Sequence, residues 1–193
     1  MSNVPARRLT RHPGIEQAEG EEGFTLIELL VVLLIIGILL AIAIPTFLSV
    51  TKTANNTAAQ SNLQTALTGA KTYFEQANQT YSGVFNSSTY SSIKATDTGL
   101  SFVSGGLSSP STASNVISIY SPASGAYVVL TSYSAGTSDC WGILDATTNA
   151  TSMWGETTVG TFYGVWKGAT KTSCKANNST PPGSISVTGF PAG

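Results

Sequence analysis

The chain has 193 residues, 41% of them hydrophobic and only 10% charged, with a formal net charge of −1. This excludes a disordered chain, which combines low hydrophobicity with high charge, and it excludes a global field that would draw in nucleic acid or an anionic membrane. The length allows one domain of ordinary size plus an accessory segment.

Residues 1–23 are polar and irregular, with Arg7, Arg8 and Arg11 early and Glu16, Glu19, Glu21 and Glu22 late. Phe24 to Ile44 is a run of 21 residues in which only Thr25 and Glu28 are polar. As a helix it would measure about 30 Å, the thickness of a bilayer core. Three arginines precede it, whereas Lys52 and Lys71 are the only basic residues soon after. The positive-inside rule then predicts a cytoplasmic N-terminus with the remainder outside. Three readings fit such a segment. It is a secretory signal cut near Ala41-Ile42-Ala43, or an uncut signal anchor, or a segment kept on the mature protein after a cut between Gly23 and Phe24. An ordinary signal has a shorter apolar core, about 7–15 residues, and a plain anchor leaves Glu28 unexplained.

Gly23-Phe24-Thr25-Leu26-Ile27-Glu28-Leu29, followed by the long apolar run and Pro45, resembles the prepilin cleavage motif of type IV pilins and type II secretion pseudopilins. The close match covers about residues 23–50, and the order of leader, long helix and two late cysteines agrees with it. The resemblance implies cleavage after Gly23 by an aspartyl prepilin peptidase and N-methylation of the new terminus, Phe24. It also implies that Glu28 neutralises the terminal amine of a neighbouring subunit during assembly. Physically, a carboxylate in hydrocarbon is costly unless paired. The alternative is that Glu28, about 6 Å along the helix from Phe24, snorkels to the headgroups. Glu21 and Glu22 depart from the basic character common in such leaders. Pro45 cannot donate to the Ala41 carbonyl, and Gly37 lowers helix propensity. The resemblance implies that Gly37 and Pro45 bound a stretch that unwinds in the filament; a simple kink is the alternative.

Beyond Pro45, Ala59, Leu63, Ala66, Leu67, Ala70, Phe74 and Ala77 recur at spacings of three and four, one apolar stripe on a helix running to about Asn78. Lys71 and Glu75 form an i,i+4 pair expected on its other side. Residues 79–97 read as an irregular connection. The runs Ser114–Tyr120, Ala126–Tyr133, Cys140–Leu144, Thr161–Trp166 and Ser184–Val187 are rich in strand-forming residues and separated by turn residues. They predict a mostly antiparallel sheet of four or more strands laid on the C-terminal half of the helix. The fold class is therefore α+β and pilin-like: leader 1–23, assembly half of the helix 24–50, amphipathic half 51–78, and a β-rich head 79–193. Tyr127, Trp141, Trp154, Phe162 and Trp166 are expected to pack on sheet faces, a sugar-binding surface being the alternative.

Cys140 and Cys174 are the only cysteines and both lie in the part expected outside the cytoplasm. An intramolecular disulfide is the simplest assignment, and in the resembling family a similar bond bounds a variable surface region. His12, the sole histidine, falls in the leader. No nucleophile–base pattern and no phosphate-binding glycine loop is present, so no enzymatic activity and no cofactor are expected. A calcium site built from Asp139, Asp145 and Glu156 lacks a ligand-spaced loop, and no metal is expected. Lys167, Lys171 and Lys175 read as a solvated loop, with weak, salt-sensitive anion contact as the functional alternative. Asn149-Ala150-Thr151 and Asn178-Ser179-Thr180 match glycosylation sequons but mainly mark exposure. The expected function is a filament subunit serving adhesion, motility or DNA uptake. It would begin in the cytoplasmic membrane and end in an extracellular pilus. Its expected partners are copies of itself, minor pilins, the peptidase, a membrane assembly platform, and DNA or surfaces. A type II secretion or competence pseudopilin is the nearest alternative, and an unassembled signal-anchored surface binding protein a second.

Overall fold

The computed structural model describes residues 23–84, 99–104, 109–149, 151–178 and 180–191. Leader residues 1–22, most of the expected 79–97 connection, and Ala150 and Ser179 of the two sequons lie outside the described residues. The chain divides into two compact units between Ala43 and Ile44.

Helix α1 runs from Leu26 to Gln76 and is unbroken through Gly37 and Pro45. Pro45 has no N–H for the Ala41 carbonyl, so the ladder lacks that bond. Every residue from Phe24 to Ala54 is exposed. Then Ala59, Leu63, Ala66, Leu67 and Ala70 become buried, the stripe that the three-and-four spacing predicts. On the rest of the surface, Thr53, Thr57, Thr65, Thr68 and Thr72 each donate a hydroxyl to the carbonyl four residues back, at 3.0–3.2 Å. Those hydroxyls are satisfied inside the helix itself. The helix ends two residues before the expected Asn78. Asn78 and Gln79 adopt left-handed φ values of 54° and 59°, and the Gln79 N–H donates to the Phe74 carbonyl at 3.0 Å. That six-residue closure is a Schellman-type stop, with Asn standing where Gly is commoner.

Among the described residues, six strands form one sheet in chain order: β1 (Ser101–Ser104), β2 (Val116–Tyr120), β3 (Tyr127–Ser134), β4 (Asp139–Ala146), β5 (Gly160–Trp166) and β6 (Ser184–Ser186). Five lie where the sequence predicts them, with shifted ends. β1 is new, and it pairs with β2 in parallel while every other pair is antiparallel. Its four residues, Ser-Phe-Val-Ser, are too few and too polar to announce a strand.

Period-two alternation sends successive side chains to opposite faces. One face carries Ile117, Ile119, Val128, Leu130, Trp141, Ile143 and Val165, which meet Ala59, Leu63, Ala66 and Ala70 of α1 in the main core. The other carries Tyr127, Val129, Leu144 and Phe162, covered by Trp154 and Ala176 from the later loops. Both faces are therefore dry, and β3 and β4 are buried along their whole lengths. The aromatic residues pack as expected on the sheet faces.

Trp154 fits because two glycines make room for it. Gly142 and Gly164 are directly paired across β4 and β5. A Cβ on Gly142 would lie 2.8 Å from Trp166 Cζ3 and 3.0 Å from Trp154 Cζ2. On Gly164 it would lie 2.5 Å from Pro182 Cγ and 3.2 Å from Trp154 Cζ3. The two indoles meet edge-on at 5.4 Å, so a Cβ on Gly142 would have to displace both rings. Gly142→Ala is expected to cost about 1–3 kcal/mol of stability by overpacking, measured by urea unfolding.

Candidate functional site

The residues singled out for processing and assembly sit at the start of α1. Thr25 precedes the first helical residue, and its hydroxyl accepts the Glu28 backbone N–H at 3.3 Å. In return, Glu28 Oε2 accepts the Thr25 N–H at 2.9 Å and the Thr25 hydroxyl at 2.7 Å. This is a capping box: two orphan helix-end donors are satisfied reciprocally. Glu28 thus has a structural task within its own chain, beyond the assembly role expected of it. The Thr-x-x-Glu spacing in the sequence is the sign that reveals it.

Phe24 is 88% exposed, and the apolar side chains that follow are exposed on every side of the helix. A helix apolar all round belongs in a membrane or among other helices, and this one is long and apolar enough to cross a membrane. A Cβ at Gly23 or at Gly37 would meet nothing within 4 Å, and neither has a left-handed φ. Among the described residues, then, the fold itself gives no reason for glycine at either position.

Far along the chain, Cys140 and Cys174 form the expected disulfide, with their Cα atoms 5.4 Å apart and a sequence separation of 34. Both are buried against Tyr133. Two hydrogen bonds reinforce the closure. The Ser111 N–H donates to the Cys174 carbonyl at 2.7 Å, and the Ala176 N–H donates to Ser118 Oγ at 3.2 Å.

A family model described as the prokaryotic N-terminal methylation motif matches residues 20–44. The type IV major pilin protein PilA of Myxococcus xanthus (strain DK1622) is 44% identical over 57 residues. Over its N-terminal stretch this chain is similar to type IV pilins. The aligned part is 30% of this chain and 26% of that relative, so the chain matches about a quarter of the relative's length. No solved structure matches it.

In the second unit, the expected Lys71–Glu75 pair is replaced by a different one. Lys71 Nζ lies 3.3 Å from Asp145 Oδ1 on β4, so the lysine turns toward the sheet instead of away from it. Asp145 is buried, and it also accepts the Tyr81 hydroxyl at 2.6 Å and the Thr161 hydroxyl at 2.5 Å. A buried carboxylate demands such partners, whereas an exposed i,i+4 pair is worth only a few tenths of a kcal/mol. Asp145, one of the three acids considered for calcium, is thereby occupied. Among the described residues, no three His, Cys, Asp or Glu side chains are grouped to hold a metal.

Tyr81 is almost fully buried. Burial first, then the bond to Asp145 and its negative charge, push the Tyr81 phenol far above its ordinary value. The folded state therefore holds the Tyr81 proton more tightly than the unfolded chain. Its contribution is complete below the unfolded pKa, about 10, and is lost as pH rises beyond that. Thermal stability is expected to fall steeply above pH 10. Tyr81→Phe should flatten that fall while lowering the melting temperature at neutral pH, as thermal unfolding across pH 8–12 would show. Burial also raises Tyr127, so some alkaline slope should survive in the variant.

Lys167 and Lys171 are exposed and Lys175 half-buried, on turns rather than a helix. Gly168, with a φ of 65°, makes the turn that follows β5. The three lysines are not aligned on one helical face.

Proposed function

We propose that this chain is a type IV pilus subunit, cut between Gly23 and Phe24, N-methylated on Phe24, and polymerised through α1. The carrying observation is the helix start: a glycine the fold does not require, an exposed aromatic, and a carboxylate placed one turn in, ahead of an all-round apolar helix. A small residue before the scissile bond suits a membrane peptidase that must approach the backbone closely. The arginines of the leader hold the N-terminus in the cytoplasm, and assembly carries the subunit from the membrane to the outside.

Cutting after Gly23 would create an amine on Phe24. A carboxylate and an amine brought together among apolar helices tolerate burial that neither tolerates alone. Glu28 of one subunit therefore pairs with the Phe24 amine of the next and fixes their register. Gly37 and Pro45 bracket the weakest stretch of the helix, where unwinding would lengthen the filament. Other copies, minor pilins, the peptidase and an assembly platform are the partners of this reading. Adhesion, motility and DNA uptake are the roles open to it. Similarity to a major pilin favours a pilus over a secretion pseudopilus.

Mass spectrometry of filaments sheared from the cell surface, without reduction, tests the reading. The expected species starts at N-methylated Phe24 and is lighter by two hydrogen atoms than the dithiol form, for the Cys140–Cys174 bond. An intact leader on protein found only in the membrane would defeat it.

A further inference from the structure

The second unit holds its stretch of α1 through a few polar contacts. Asn62 Nδ2 donates to the Ser114 carbonyl at 2.8 Å, and Lys71 pairs with Asp145. The contact nearest the N-terminus is different in kind. Asn56 Oδ1 accepts two hydrogen bonds, from the Thr137 hydroxyl at 2.7 Å and from the Trp141 indole N–H at 3.2 Å. Thr137 belongs to the turn between β3 and β4, and Trp141 is the largest fully buried side chain.

The same turn lies directly on the helix. A Cβ at Gly136 would fall 3.0 Å from Lys52 Cα and 3.0 Å from Asn55 Nδ2, so glycine permits the approach. From Ile44 to Ala54 every helical residue is exposed, and only after Asn56 does the buried stripe begin, at Ala59. The small side chains at Ala59, Ala66 and Ala70 would tolerate sliding and rotation of the helix better than a directed pair of hydrogen bonds does.

We infer that the β3–β4 turn and Asn56 form a clasp that stops conformational change in α1 from spreading into the core. A helix loosened at Pro45 stays exposed until it reaches Asn55 and Asn56, which are half-buried. There the clasp fixes axial register and holds the first turn that matters for the core. Asn56 is a positioning residue: it acts through Trp141 and Thr137. The inference rests only on contacts within this unit and holds whether or not the chain assembles into filaments.

Hydrogen exchange of the full chain in detergent micelles, followed by mass spectrometry, tests it. Asn56→Ala is expected to speed exchange of amides 50–60 by about tenfold, the loss of roughly one net hydrogen bond, with β3 and β4 amides unchanged. Asn56→Asp keeps the acceptor and should retain the slow exchange. Thr137→Val, which removes one donor from an otherwise intact turn, should give a smaller change in the same direction. Unchanged exchange in Asn56→Ala and Thr137→Val would overturn the clasp. So would acceleration spread evenly through the sheet, because Asn56 would then be an ordinary stabilising residue.

Discussion

Glu28→Gln is expected to abolish filament assembly while leaving the start of α1 folded. The two tasks proposed for Glu28 require different things of the side chain. Capping Thr25 requires only an acceptor oxygen, and Gln serves in a capping box as well as Glu does. Pairing with a cationic amine requires the negative charge. An unmatched amine buried among apolar helices costs about 3–5 kcal/mol relative to the pair, which corresponds to well over a hundredfold weaker association at each subunit contact. Glu28→Gln should therefore yield cut subunits that stay in the membrane, with almost no shearable filament. Glu28→Ala should do the same and in addition fray the first helical turn by about 1 kcal/mol, visible as faster exchange at amides 25–29. Filament yield and exchange at the helix start, measured on both variants, separate the roles. Normal filaments from Glu28→Gln together with none from Glu28→Ala would assign assembly to the cap and not to the charge.

The second large effect belongs to the disulfide. Removing it as Cys140→Ala/Cys174→Ala should cost about 3–4 kcal/mol, because the bond closes a loop of roughly 35 residues and its loss frees the unfolded chain. That is a substantial fraction of the roughly 5–15 kcal/mol by which domains are stable. The melting temperature should drop by about 10 °C for a unit of this size. The damage should be local before it is global. Cys174 lies next to the hydrogen bonds that tie Ser111 and Ser118 to the segment ending at Ala176, so this segment should exchange fastest. The covering of Trp154 and Phe162 should loosen next, while the core between α1 and the sheet persists. Thermal unfolding of the variant, and of the native chain with and without reductant, measures the effect. A melting temperature unchanged by reduction would mean that these hydrogen bonds alone hold the loops.

The sequence by itself determined what depends on neighbours along the chain. The apolar length from Phe24 to Ile44 sets a membrane-scale helix, and the Gly23-Phe24 pair with Glu28 falls within the match to the N-terminal methylation motif. The spacing of Ala59, Leu63, Ala66 and Ala70 sets the buried stripe, because 3.6 residues per turn is a local property. Runs of strand-forming residues between turn residues located five of the strands, also a local signal, although their ends moved by one or two residues. The Thr25-x-x-Glu28 box was equally local, and is hidden only when Glu28 is read solely as a membrane carboxylate.

Tertiary structure decided the partners of polar groups. Tyr81 and Asp145 are 64 residues apart in sequence, and Asn56 and Trp141 are 85 apart. No period in the chain points from one to the other. The choice of Lys71 between Glu75 and Asp145 shows why. Along the helix the nearer acid is the obvious partner, but an exposed pair gains little. A carboxylate withdrawn from water by the sheet cannot go unpaired, so burial, which exists only in the folded chain, sets the pairing.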